Sequence, residues 1–146
     1  MAYTIKQAAE IMNVTPTTLR FYDKQGLLPN IERKESGYRV FSDDDMAMLK
    51  VIACLKKSGM PIKDIHQFAK YVQMGDDSLQ ERYEMFLERK RDVEKQMEEL
   101  QSTLDFINYK CWYYETAIEA GTEKIHFGHD CGDTEVKKEY ENKSEE

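Results

Sequence analysis

Apolar residues at Ile5, Ala8, Ala9 and Met12 fall on one helical face. Thr4 with Gln7 three residues on forms a capping box ahead of them, each side chain satisfying a free amide of the helix start. Asn13-Val14 breaks the pattern, and Thr15-Pro16 starts a second helix: a hydroxyl at the N-cap and Pro at the first helical position. It is predicted to run to about Lys24 and stop before Gly26. Two short helices joined by about three residues make a helix-turn-helix.

Leu27 to Phe41 changes character. Leu27-Leu28 and Tyr38-Arg39-Val40-Phe41 are β-compatible edges around a polar middle, so a short β-hairpin wing is expected. Ser42 and Asp45 cap a third helix, with Met46, Leu49, Ile52, Ala53 and Lys56 at helical spacing until Gly59. Pro61 opens a fourth, with Ile62, Ile65, Phe68, Ala69 and Val72 on one face, closed by Gly75.

From Asp77 to about Ala120 there is neither Pro nor Gly. Leu79, Phe86, Val93, Leu100, Ile107 and Tyr114 repeat every seven residues. Tyr83, Lys90, Met97, Leu104, Cys111 and Ile118 follow four residues behind, and only Lys90 departs from an apolar or aromatic character. A stripe this narrow needs a partner helix. About 42 residues rising 1.5 Å each would span roughly 60 Å. No second long helix is available to fold back, so a second copy of the chain is expected as the partner, in a two-fold homodimer through residues 79–118. The expected organisation is therefore a head over 1–72, a dimerisation helix over 76–120 and an acidic, flexible tail over 121–146. An apolar patch at Ile125-His126-Phe127 offers that tail a local docking point.

Composition fits this elongated, helix-rich picture. The 146 residues are 34% charged, with mean hydropathy −0.74. No apolar run reaches the ~18 residues that span a bilayer. The opening Met1-Ala2-Tyr3-Thr4-Ile5-Lys6 has no basic segment ahead of an apolar one, so neither a membrane partner nor a secretory leader is expected. Three widely spaced cysteines, Cys54, Cys111 and Cys131, suit a reducing cytoplasm better than a disulfide framework. The net charge of −7 is uneven. Residues 1–75 carry 11 Lys+Arg against 8 Asp+Glu, a net of +3, and the remainder carries 10 against 20, a net of −10. The head can approach a polyanion although the whole chain is acidic.

Thr18-Leu19-Arg20-Phe21-Tyr22-Asp23-Lys24-Gln25-Gly26-Leu27-Leu28-Pro29, followed by Gly37-Tyr38-Arg39-Val40-Phe41-Ser42, resembles the MerR family of bacterial transcription regulators. The resemblance extends from residue 3 to about residue 72, and a long helix follows where that family has one. It implies a mainly α fold: a winged helix-turn-helix head of four helices and a hairpin, then a long antiparallel coiled-coil dimerisation helix. It also implies double-stranded promoter DNA as partner. In the family, the dimer binds a near-palindrome in a promoter whose spacer is too long, and bends and untwists it when an effector is present. RNA polymerase is engaged only indirectly.

Candidate DNA contacts come from both lines of argument. Arg20 and Tyr22 lie on the second helix, suited to the major groove or its flanking phosphates, with Thr17 one turn earlier. Arg33, Lys34, Tyr38 and Arg39 give the wing a cationic, aromatic surface. Lys56 and Lys57 end the third helix as a second backbone clamp. The resemblance matches Arg20, Tyr22, Arg33, Tyr38, Arg39 and Lys56 to DNA-touching positions. Tyr22 also fits a core position, Phe21 reads as core, and Arg33 and Lys34 also fit a solvated face.

Three effector classes remain open. Cys54, in Ala53-Cys54-Leu55-Lys56-Lys57-Ser58-Gly59-Met60, resembles the reactive thiol of an aldehyde-responsive subgroup, and the neighbouring lysines favour a thiolate while the helix C-terminus opposes one. An inert thiol at Cys54 is the bland alternative. His126-x-x-His129-x-Cys131 has ligand types for a metal but not a strong spacing, and Cys111 sits on the heptad seam. Cys111-Trp112-Tyr113-Tyr114 offers rings for a small organic ligand between subunits, or packing for the dimer end. No cofactor is implied. No Gly-rich phosphate loop, carboxylate pair or nucleophilic triad marks an enzyme. The other non-enzymatic class, a purely structural coiled-coil module, leaves the capped helix-turn-helix and arginine-bearing wing without a purpose.

Overall fold

The computed structural model describes residues 1–127 and 141. The chain divides into two compact units, Met1–Val93 and Glu94–Glu146.

The first unit begins with strand β1 (Ala2–Thr4), which pairs with the later hairpin and was not foreseen from three residues of pattern. Thr4 then caps α1 (Ile5–Met12), and the Thr4–Gln7 capping box is present in both directions. Asn13 ends the helix in the left-handed region at φ 53°, where a short polar side chain is best tolerated. Thr15 accepts from the amide of Thr18, and Pro16 occupies the first turn of α2 (Pro16–Lys24). Gly26 turns the chain away at φ 76°, and a Cβ there would meet His66 Nε2 at 3.2 Å, so both conformation and space ask for glycine.

The next residues differ from expectation. Leu27 and Leu28 form no strand; they are buried in the core. Their carbon area is more valuable there than on an exposed hairpin edge, each buried leucine contributing about 2 kcal/mol. The hairpin is shorter, β2 (Glu32–Arg33) with β3 (Arg39–Ser42). The strand order is β1-β3-β2, antiparallel throughout, with Tyr3 opposite Phe41 and Arg33 opposite Arg39. The connecting loop closes with Gly37 N donating to Lys34 O and Lys34 N to Tyr38 O, both at 2.8 Å.

Ser42 and Asp45 cap α3 (Asp43–Lys57) reciprocally. Three aspartates in its first turn and Lys56 and Lys57 in its last complement the helix dipole. β1 is tied to this start: the Met1 ammonium donates to Asp43 at 2.9 Å and the Tyr3 hydroxyl at 3.2 Å. Helix α4 (Ile62–Met74) ends at Gly75, and a 3₁₀ turn over Gly75–Ser78 leads into α5 (Leu79–Ala120). Buried Ser78 donates to the carbonyls of Tyr71 and Gly75, and Arg82 Nη2 also reaches Gly75 O at 2.9 Å. The core of this unit joins Leu19 of α2, Leu27, Phe41 of β3, Leu49, Ile52 and Leu55 of α3, and Ile65 and Phe68 of α4. Phe68 also meets Phe86 of α5 edge-on at 5.6 Å.

In the second unit a 3₁₀ turn over Glu123–His126 returns to the last turns of α5. His126 is buried, its ring 4.2 Å from that of Tyr113 and its Nε2 2.7 Å from Thr116 Oγ1. The apolar patch at 125–127 does dock locally, through the histidine, while Ile125 and Phe127 remain exposed. The remaining tail positions, His129 and Cys131 among them, lie outside the described residues.

Along α5 most heptad positions face solvent in the single chain, Val93 being half-buried. Leu79, Tyr83, Phe86, Met97, Leu100, Leu104, Ile107, Tyr114 and Ile118 are all exposed. Among the described residues, no helix is long and apolar enough to cross a membrane.

Candidate nucleic-acid interface

Helix α2 places Thr17, Arg20 and Lys24 on one side by the three- and four-residue spacing of a helix turn, and all three are exposed. The opposite side carries Leu19 and Tyr22 into the core. The wing folds against the exposed side. Thr17, Arg20, Phe21, Asp23, Lys24, Arg33 and Arg39 line one open cleft of about 450 Å³ between α2 and the hairpin. Four cations and one carboxylate therefore surround a groove bounded by a helix and a β-ribbon, the two shapes that enter a DNA groove.

Asp23 organises the cationic wall. Its Oδ2 accepts from Arg39 Nε at 2.7 Å and from Arg33 Nη2 at 3.2 Å. The Asp23 side chain is 13% exposed and that of Arg39 18%, whereas Arg33 is 54% exposed. The Asp23–Arg39 pair is short and largely shielded, and the weaker Arg33 pair sits at the rim. A guanidinium has five N–H donors, so both arginines keep donors for a second anion.

Of the two adjacent aromatics of α2, Phe21 is exposed against the expectation of a core position, and Tyr22 takes the core position that is its alternative reading. Phe21 is 44% exposed in the cleft, and Tyr22 is 5% exposed in the core. The helical turn sends consecutive residues about 100° apart, so only one of the pair can share the core face with Leu19. Lys56 lies over the Tyr22 ring at 5.6 Å from its centre, a cation–π contact joining α3 to α2. Lys57 is exposed beside it at the helix end.

Tyr38, at the tip of the wing, is 72% exposed. It lines a second, smaller cavity of about 270 Å³ with Lys34, Arg39, Val40 and the β1 residues, rather than the α2 cleft. Cys54 is exposed on α3, and its carbonyl accepts the Ser58 amide. Thr17, Arg20, Arg33 and Arg39 thus meet in one cleft; Tyr22 and Lys56 meet each other; Tyr38, Lys57 and Cys54 stand apart from that cleft. Sequence reasoning missed Asp23, Phe21 and Lys24 as cleft residues. The signal for Asp23 was a lone carboxylate inside an otherwise cationic and aromatic helix.

Of the candidate metal ligands His126, His129 and Cys131, only His126 lies among the described residues, and its Nε2 is already engaged. His126 Nε2 is held between Thr116 Oγ1 and, at 3.1 Å, Tyr113 O. Among the described residues no cluster of His, Cys, Asp and Glu could hold a metal.

Comparison with known proteins agrees with this geometry. Residues 3–72 match the family model of the MerR HTH regulatory proteins, and residues 46–108 match the model of the MerR DNA-binding region. An HTH-type transcriptional regulator of Haemophilus influenzae is 44% identical over 124 residues, covering 85% of this chain and 92% of that one. The crystal structure of a MerR family regulator lacking the sensor domain, bound to promoter DNA, superposes with a TM-score of 0.76 at 43% identity, covering 86% of this chain and 99% of that one. A MerR family regulator from Bacillus thuringiensis superposes with a TM-score of 0.69 at 35% identity, covering 76% and 97%.

Proposed function

The chain belongs to the MerR family of DNA-binding transcriptional regulators, and from that premise we propose that it binds a palindromic promoter site as a homodimer and deforms the spacer to control transcription. The observation that carries this reading is the cleft between α2 and the wing, where Arg20, Lys24, Arg33 and Arg39 converge. Phosphate contacts from such residues fix register on the duplex, and α2 supplies the element for the major groove. The similar structure bound to promoter DNA supports the choice of ligand.

Dimerisation is supported by the exposed heptad stripe of α5. Leu79, Tyr83, Phe86 and the residues that follow them present an apolar face that a lone chain leaves in water. Such a face buries itself against a second copy at no cost in new sequence. A two-fold dimer then carries two clefts, which matches a palindromic site. Deforming a short site costs on the order of a few kcal/mol, within reach of the contacts two clefts can make. RNA polymerase would respond to the altered promoter rather than to a protein surface of this chain.

For the effector, the thiol of Cys54 is the reading with support. It is exposed on α3 and two residues before Lys56, the residue that covers Tyr22 of the recognition helix. An electrophile such as an aldehyde or quinone added to this sulfur would change the volume and polarity of the exposed face of α3 that carries it.

A gel shift with the promoter duplex of the DNA-bound relative tests the main reading. The wild-type chain should retard it, and Arg20→Ala should not. A reporter assay tests the effector: Cys54→Ser should abolish the response to aldehyde while leaving DNA affinity intact, and a normal response in that variant would remove the thiol from the account.

A further inference from the structure

Arg33 and Arg39 are direct cross-strand partners in the β2–β3 ladder. Like charges in that position repel across the ladder. The repulsion is met from outside the hairpin: one oxygen, Asp23 Oδ2, accepts from both guanidinium groups. The carboxylate comes from α2, the helix that carries Arg20 and Lys24 into the same cleft. An oxyanion bridging two side-by-side guanidiniums is the arrangement a backbone phosphate would make there.

Resting on the DNA-binding reading, we propose that Asp23 is a positioning residue for DNA recognition: its carboxylate stands in for a phosphate in the free protein, holding Arg33 and Arg39 side by side and restraining their attraction to DNA of arbitrary sequence. The three groups together carry a net charge of +1 instead of +2. A duplex gains the full arginine pair only where its phosphate fits close enough to share the site with Asp23. A duplex in poor register meets a wing already half-neutralised. The restraint thus weakens non-specific binding more than specific binding, and specificity is their ratio.

The test uses the full chain and fluorescence anisotropy over a series of KCl concentrations. The probes are the promoter duplex of the DNA-bound relative and a scrambled duplex of equal length. Asp23→Asn keeps the size of the side chain and removes the charge. It should tighten binding to the scrambled duplex several-fold and steepen the salt dependence by about 0.9 per subunit, the increment for one more neutralised phosphate. The promoter-to-scrambled affinity ratio should fall, and Asp23→Glu should restore both quantities. Asp23→Ser makes the same charge change if the asparagine variant does not fold. Unchanged slope and ratio would overturn the proposal, as would a parallel weakening on both duplexes, which is the mark of a mere structural brace. Those outcomes leave wild-type binding in place. Absence of wild-type binding to either duplex at low salt would instead overturn the DNA-binding reading, and this proposal with it.

Discussion

The Lys56 ammonium lies 5.6 Å from the centre of the buried Tyr22 ring, so the last turn of α3 is fastened to α2 through a cation and an aromatic face. The neighbouring Phe21 faces the cleft. This opposition gives a sharp expectation. Tyr22→Ala should cost about 3 kcal/mol of stability, as for other buried aromatics cut to alanine. Phe21→Ala should stay within about 0.5 kcal/mol of wild type, as surface changes do, yet weaken DNA binding. Urea unfolding followed by circular dichroism, alongside anisotropy with the promoter duplex, separates the two effects.

Arg20 is exposed on α2 and is not needed by the core. Arg20→Ala should therefore unfold at the same urea concentration as wild type while its DNA affinity drops at least tenfold. If Arg20 neutralises one phosphate, the salt dependence becomes shallower by about 0.9 per subunit. Parallel loss of stability and affinity would identify it as a scaffold residue.

The attachment of β1 to α3 has a pH signature. The Asp43 carboxyl is held below the ordinary carboxylate range, first by hydrogen bonding from the Met1 ammonium and then from the Tyr3 hydroxyl. A lowered folded value contributes stability above the unfolded carboxylate range and loses it as pH falls through the lowered value. The Tyr3 hydroxyl is shifted upward, chiefly by its bond to Asp43, so its contribution is present below the ordinary tyrosine range and fades as pH rises through the raised value. Thermal melts of Asp43→Asn should lack the acid-side loss attributable to this contact; an acid limb identical to wild type would deny it.

Trp112 is the chain's one tryptophan and lies 5.4 Å from the His126 ring. Its emission therefore reports docking of the 3₁₀ turn over Glu123–His126. His126→Ala should shift that emission to the red as the indole gains water. Thr116→Val removes the hydroxyl 2.7 Å from His126 Nε2 and should lower stability by about 1 kcal/mol, the usual worth of one hydrogen bond. An unshifted spectrum in His126→Ala would mean the turn stays docked without its histidine.

Features set by neighbouring residues were legible in the sequence. The reciprocal caps at Thr4–Gln7 and Ser42–Asp45 announce helix starts from four residues each, and the seven-residue repeat from Leu79 to Ile118 announces α5. Features decided by distant residues were not. Whether Phe21 or Tyr22 turns inward depends on which one finds the core formed by α3 and β3. Leu27-Leu28 carries strand-compatible side chains but is claimed by that same core. β1 is three residues long and exists only because β3 offers it an edge. The Asp23 contacts join α2 to β2 and β3 over 10 and 16 positions, and no local spacing encodes them.

The most direct test of paired clefts on one duplex is a count of chains per DNA molecule. Sedimentation velocity of the chain with the promoter duplex of the DNA-bound relative, at micromolar concentration, should give two chains per duplex and a dimer in the absence of DNA. A monomer in solution, loading one chain per duplex without cooperativity, would contradict the account.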